Sequence, residues 1–346
     1  MARRTAVTPA ASGTVRRLAF LVPWVVLGTA TLVVSALGAP AREYQLLVFA
    51  VSVVILGLPH GALDHLAPAR AAGDVPTRRW FALVGALYLA VGLAYALVWW
   101  VAPAFAFASF IAITWFHWGQ DDLHALVTLA GPSHLQTVSQ RALSVAARGA
   151  LPMLVPLVAF PGEYRLVAET LVGLFAEPDL GIGAVAFTPA GRAVVAGVVL
   201  ALLVGSLATS YSRARRRAWA LDAGETGLLV AYFLLVPPIL AVGVYFCFWH
   251  ALRHVVRLLL VDPVGRERLA GGRTSRALAR FVREATPLTA GALCLIGLLG
   301  LALSVSPTGP SDLFGLYLVG IALLTAPHVL VVGWMDRAEG IWTPGE

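Results

Sequence analysis

WHALRH, residues 249–254, sets His250 and His254 four residues apart. That interval brings two side chains onto one face of a helix, where both imidazoles can reach one metal ion. The interval recurs as His60 and Asp64 in LPHGALDH and as His117 and Asp121 in FHWGQDD. A histidine that binds metal through one ring nitrogen usually donates its other N–H to a carboxylate or carbonyl, so each aspartate is the expected acceptor for the histidine one turn before it. Four neutral imidazoles around a divalent ion leave two positive charges. Asp64 and Asp121 would cancel them, which matters where the dielectric is low. His328, in LLTAPHVLVV, is the most deeply placed in apolar sequence. Three readings of it stand level: a fifth ligand, a partner of a ligand, or a group facing a substrate. The set requires no thiolate and no carboxylate in the metal's own shell, and imidazole suits iron, copper or zinc. On octahedral iron, four imidazoles leave two positions open, where O₂ could meet an organic substrate.

Each residue taken singly has a plainer explanation. His60 could be a hydrogen-bonded helix-end histidine. His250 and His254 with Arg253 and Arg257 could form an interfacial cationic face. Asp64, Asp121 and above all Asp122 could be helix-end charges meeting water. His65 reads as an interfacial group, and His124 and His134 as loop residues. Trp115, Trp118, Phe246 and Trp249 crowd the same motifs. Ordinary membrane packing covers most such aromatics, while some would line a pocket for a flat, apolar ligand.

The elements that position these groups are written in composition. Of 346 residues 59% are hydrophobic and 12% charged, and the mean hydropathy is +0.82, which excludes an ordinary soluble domain. Runs at 18–38, 43–63, 80–101, 103–118, 143–160, 190–210, 287–305 and 312–335 are long enough to span a bilayer core as helices. The fold expected is all-α, a polytopic transmembrane bundle of about eight to ten segments. It forms one domain over 1–346, with a basic tail at 1–17, the bundle at 18–335 and a short tail at 336–346. The first apolar run lacks a small-residue cleavage site and reads as a retained helix rather than a removed signal. Cys247 and Cys294 stand alone in apolar runs and read as core packing. Acidic residues between 163 and 179 flank an apolar face, which suggests an interfacial helix or loop.

The net charge of +7 sits mostly in short arginine blocks between apolar runs, a pattern of membrane orientation rather than of nucleic-acid binding. Blocks at 3–17, 70–79 and 213–217 fall on one side and the acidic segment on the other. The positive-inside rule makes the basic side, with the N-terminus, cytoplasmic in the cell (plasma) membrane. The run 224–261 would be ~55 Å long as a single helix, and Pro237 and Pro238 interrupt it. If it folds back as a hairpin, the basic loop 266–283 joins the other blocks. The same hairpin brings His60, His117, His250, His254 and His328 to one depth. Ionisable groups inside spans are costly, and five at one level are explained together by a metal site better than by five separate accidents.

The motifs LPHGALDH (58–65), WFHWGQDD (115–122), FWHALRH (248–254) and APH (326–328), in this order and with similar separations, resemble the Brp/Blh family of membrane-bound β-carotene 15,15′-dioxygenases, from microbes that make retinal for rhodopsins. The likeness covers about 50–335. It implies an Fe(2+) cofactor held by His60, His117, His250 and His254, with β-carotene and O₂ as substrates and all-trans-retinal as product. A rhodopsin apoprotein becomes a possible recipient, and membrane lipid the surrounding solvent. Asp64, Asp121 and His328 would support the ligands, and Trp115, Trp118, Phe246 and Trp249 the substrate pocket. Two other classes compete. A desaturase- or hydroxylase-like di-iron enzyme would need roughly eight histidines in HxxxH and HxxHH boxes, whereas this chain has one HxxxH and no HH. A bis-histidine haem or transport protein would set its histidine pairs at two depths.

Overall fold

The computed structural model describes residues 9–130, 133–303 and 310–343; parts of the expected tails and the end of the seventh span, 1–8, 304–305 and 344–346, lie outside them. Every regular element among the described residues is a helix. In chain order the principal ones are α1 (Gly13–Leu37), α2 (Arg42–Gly61), α3 (Arg78–Val101), α4 (Pro103–His124), α5 (Val138–Ala159), α6 (Pro161–Gly173), α7 (Pro189–Ser210), α8 (Arg213–Leu235), α9 (Pro238–Val261), α10 (Pro263–Ala270), α11 (Thr274–Ala302) and α12 (Pro310–Ala338). Nine of these, all but α4, α6 and α10, hold a stretch long and apolar enough to cross a membrane. The 22-residue α4 is as long but carries Gln120, Asp121 and Asp122 in its last turns. The bundle is therefore the all-α, polytopic one that composition implies.

Pro237 and Pro238 do break the long run. Pro238 starts α9, where a missing N–H costs nothing because a helix's first amides have no internal partner. Tyr232 donates to the Ala241 carbonyl at 2.9 Å and Arg253 reaches Glu225, so residues on either side of the break face each other and α8 and α9 form a hairpin. The basic stretch 266–283, expected as a loop, is instead α10 followed by the first turns of α11. Asp262 ahead of α10 caps it through the Gly265 amide, and the helix propensity of the arginine-rich sequence continues the chain. Arg70 bonds Glu284 at 3.0 Å, and residues 9–16, helical rather than an extended tail, pack on α10. The basic blocks thus share one end of the bundle. The acidic segment is α6, packed against the far part of α12.

Close packing joins α4 to α5. A Cβ at Gly119 would stand 2.0 Å from the Val145 carbonyl and one at Gly149 1.8 Å from that of Trp115, so only glycine allows this approach. At the C-terminus, α12 runs through the expected start of the tail, with Asp336 fully buried. Cys247 is in the core as expected, but Cys294 is exposed on the outer face of α11. Four π-helical turns interrupt or extend the α pattern among the described residues, and two of them, Val53–Gly57 in α2 and Phe246–Ala251 in α9, pack side by side. Such turns often accompany functional sites because they re-aim the following side chains.

Candidate metal centre

His60 follows the π turn of α2, His117 lies on α4, His250 lies within the π turn of α9 and His254 just after it, and His328 lies on α12. All five are nearly inaccessible to solvent. Their rings form one cage, with centroids 4.7 Å apart for His117 and His328, 4.8 Å for His117 and His250, 5.0 Å for His60 and His328, and 5.1 Å for His60 and His250. His254 closes the cage at 5.4 Å from His60 and 5.3 Å from His328.

The braces differ from those the local spacing suggests. His60 donates Nδ1–H to the carbonyl of Gly57, the last residue of the preceding π turn, not to Asp64. Asp64 sits in the turn after α2 and accepts from His328 at 2.7 Å, as well as from the Tyr88 hydroxyl. Asp121 faces α9 and accepts from His254 at 3.1 Å; it lies 3.4 Å from His250 and makes no hydrogen bond to His117. Each aspartate thus braces a histidine on another helix, because the chain leaves the helix at Ala62 and because the Asp121 side of α4 packs on α9. Tyr88 has no motif around it, and sequence reasoning missed it.

The distal nitrogens decide what the cage can hold. The Nε2 atoms of His60, His254 and His328 and both ring nitrogens of His117 and His250 are buried with no hydrogen-bond partner among the described residues. Leaving a buried polar atom unpaired costs about 1–3 kcal/mol, so five clustered imidazoles, each with at least one unpaired nitrogen, describe a donor set suited to a cation. Ligand atoms of His60, His117 and His328 lie within 4.8 Å of one another, as do those of His117, Asp121 and His250. Neutral nitrogen donors of this kind suit a borderline first-row metal.

Around the cage runs a buried ion network. Asp122, expected to meet water, is 1% exposed and bonds Arg253 at 2.9 Å and Trp249 at 2.8 Å. Arg148 reaches Asp122 at 3.3 Å and also Glu225, while Arg257 reaches Asp336 at 2.8 Å and Glu339. Arg253 and Arg257 are therefore interior, not an interfacial face. A lone buried guanidinium is prohibitive in an apolar core, and these are tolerated because each finds more than one carboxylate. His134 does lie in the loop before α5, whereas His124 ends α4; both are buried, His124 3.5 Å from Glu339 and His134 3.0 Å from Asp222. Beyond the spans, burial alone would raise the Glu339 carboxyl, but the Arg257 guanidinium and His124 overcome that and hold it at about 2. His65, half-buried at the end of the bundle, has its imidazole pushed below the ordinary value by burial.

A cavity of about 740 Å³ opens from the cage. His60, His117, His250 and His328 form its polar end, while Tyr164 and Phe314 lie toward the end of the bundle where α6 packs. The walls between are apolar, Trp118 and Phe246 among them. Phe246 stacks on the His250 ring at 18° between planes and Trp118 stacks on Phe246 at 22°. Trp115 and Trp249 are not in the wall. Trp115 turns toward α5 to donate to the Ala146 carbonyl, and Trp249 lies within the ion network, under the Arg253 guanidinium at 3.9 Å. The volume suits a small organic ligand, and the scarcity of polar wall atoms suits an apolar one.

Fold and site together define a polytopic helical membrane protein in which a caged cluster of histidines ends an apolar cavity. Residues 51–336 match the family model of β-carotene 15,15′-dioxygenase, and the chain belongs to that family. It is 44% identical over 342 residues, 97% of each chain, to the "Probable beta-carotene 15,15'-dioxygenase Blh" of Halobacterium salinarum. It is 30% identical over 316 residues to the "Probable beta-carotene 15,15'-dioxygenase Brp" of the same species, covering 87% of this chain and 86% of that one. Identity to the "Beta-carotene 15,15'-dioxygenase" of uncultured marine bacterium 66A03 is 23% over 288 residues, 82% of this chain and 92% of that one. No solved structure matches the chain.

Proposed function

We propose that the chain cleaves β-carotene with O₂ at the central 15,15′ double bond into two molecules of all-trans-retinal. The centre is non-haem Fe(2+) held by His60, His117, His250 and His254, with Asp64, Asp121 and His328 in support. One observation carries the reading: the unpaired histidine nitrogens end an apolar cavity, so the reactive centre meets an apolar substrate rather than water. The printed names of the relatives supply the substrate and the bond.

Iron bound there supplies the binding and activation of O₂. The chain's own groups do the rest. Asp121 holds His254 with its Nδ1–H outward and Nε2 inward, and the Gly57 carbonyl does the same for His60. Asp64, itself held by Tyr88, fixes His328 at the mouth of the cavity. Phe246 and Trp118 present flat faces that a polyene can lie along, and the buried walls exclude water that would quench reactive oxygen species. The substrate is too apolar to arrive through water, so it comes from the surrounding plasma-membrane lipid, with the basic end of the bundle cytoplasmic. A rhodopsin apoprotein is the natural recipient of the product.

Expression in a bacterium that accumulates β-carotene tests the proposal. Extracted pigment should lose β-carotene and gain retinal, and fast trapping under ¹⁸O₂ should label the aldehyde oxygens of both halves. Unchanged β-carotene, or apocarotenals from an off-centre cut, would refute it. One labelled and one unlabelled retinal per turnover would make the enzyme a monooxygenase.

A further inference from the structure

The cavity wall is buried or half-buried almost everywhere, and its exposed members are confined to two helices. They are Phe81 and Gly85 on α3 and Pro287, Leu288, Gly291 and Leu295 on α11. On α3 the two are joined in the wall by Val84 and Tyr88, which makes a stripe at helical spacing, and the four on α11 keep the same spacing. Phe81, Leu288 and Leu295 are 40%, 48% and 43% exposed. Both helices pack on α12, whose His328, Thr325 and Ile321 line the cavity between them. Only 11% of the apolar window of α3 and 22% of that of α11 is buried, so the outer sides of both helices are the lipid-facing surface of the bundle. A Cβ placed at Gly85 or at Gly291 meets no atom within 4 Å.

These observations locate an opening. A cleft floored by α12 and flanked by α3 and α11 connects the bilayer with the histidine cage, and two glycines leave its lips without side chains. Its walls are mostly hydrocarbon; the polar members are Tyr88, Thr325, Thr114, Tyr164 and the cage with Asp64, while His65 beside Phe81 and Glu284, already paired with Arg70 and Arg280, mark the basic-end limit. Water-soluble ligands gain nothing from such a surface, whereas a rod-like hydrocarbon dissolved in lipid passes into it without changing its solvent.

We propose that the cleft between α3 and α11 is the lateral doorway through which a lipid-dissolved polyene reaches the cage, with Gly85 and Gly291 as the residues that keep it open. The inference rests on the carotenoid reading for the identity of the polyene. Its geometry stands apart from the metal.

The test uses the full chain in liposomes with β-carotene in the bilayer. Gly85→Trp and Gly291→Trp insert an indole where there is open space, while Gly297→Trp puts the same indole on α11, where it also meets no atom but lies outside the cavity wall. The first two should lower kcat/KM at least about tenfold, mainly through KM, because access precedes the chemical step. Their iron content should equal that of wild type, and Gly297→Trp should behave as wild type. A second measurement needs no turnover. In a Cys294→Ser background, Gly291→Cys should react with a membrane-soluble maleimide, and β-carotene in the bilayer should slow that reaction while leaving Gly297→Cys unaffected.

Wild-type kcat/KM in both plugged variants overturns the doorway even if retinal is still made. Slow labelling of Gly291→Cys that is the same with and without β-carotene also overturns it, since a resident lipid chain then fills the cleft. If wild type makes no retinal but β-carotene protects Gly291→Cys, the doorway stands and the cleavage reading fails.

Discussion

Replacing Asp121 by asparagine keeps the size of the side chain and removes its charge. In the wild type Oδ2 lies 3.1 Å from His254 Nδ1 and 3.4 Å from His250 Nδ1, and Oδ1 lies 3.8 Å from Arg257 Nη1. Asparagine still offers one carbonyl oxygen to His254, so the bond becomes a neutral one. Charge-assisted bonds contribute roughly 1.5–3 kcal/mol and neutral ones roughly 0.5–1.5, a difference of about 1–2 kcal/mol. That converts to about 5- to 30-fold in metal affinity, which overlaps the lower part of the roughly 10- to 100-fold range typical of losing a carboxylate behind a metal-binding histidine. The change should not unfold the bundle, because Arg257 keeps Asp336 and Glu339 and no guanidinium is stranded. Chelator competition for Fe(2+) on reconstituted protein reads the affinity, and a thermal melt of the metal-free protein reads the fold. Asp121→Asn binding iron as tightly as wild type, or losing fold in step with iron, would show that Asp121 does not act through the histidines.

Alanine at His60, His117, His250 or His254 should each abolish bound iron and retinal formation while membrane expression persists, which metal analysis beside pigment extraction checks. Tyr88→Phe removes the hydroxyl that holds Asp64, and a several-fold loss of iron affinity with an unchanged melting temperature is expected. Glu339 is held at about 2 against an ordinary 4.5, so its contribution is complete above about pH 4.5 and is lost as the pH falls from there toward 2. Melting temperatures through that window should fall more steeply for wild type than for Glu339→Gln. Cysteine labelling from either side of the membrane should find 213–217 and 266–283 equally accessible from the same side.

Features that depend on a residue's own surroundings were legible in the sequence. Apolar runs, the break at Pro237 and Pro238, and the arginine blocks each act locally, and together they gather the histidines at one level. Pairings between helices were not legible. Asp122 with Arg253, or Asp64 with His328, joins residues far apart in sequence, and no spacing rule encodes which helix a carboxylate will face. The i, i+4 rule therefore found Asp64 and Asp121 but attached them to the wrong imidazoles. The π turns have no compositional signal either, yet one supplies the carbonyl that brings His60 into line. Buried arginines looked interfacial because their counter-charges lie on α4, α8 and α12.

The ion network also bears on how such a chain enters a membrane. Presented alone, α9 would bring Arg253 and Arg257 into the bilayer, at roughly 2.5–3.5 kcal/mol for each charge near the middle. The α8 helix, made just before it, carries Glu225, so one partner of Arg253 is already present when α9 is made. Arg257 waits longer. Its strongest partners, Asp336 and Glu339, are synthesised on and after the last helix, the same helix that delivers His328 to the cage. Charge matching of Arg257 and completion of the histidine cluster thus depend on the same stretch of chain.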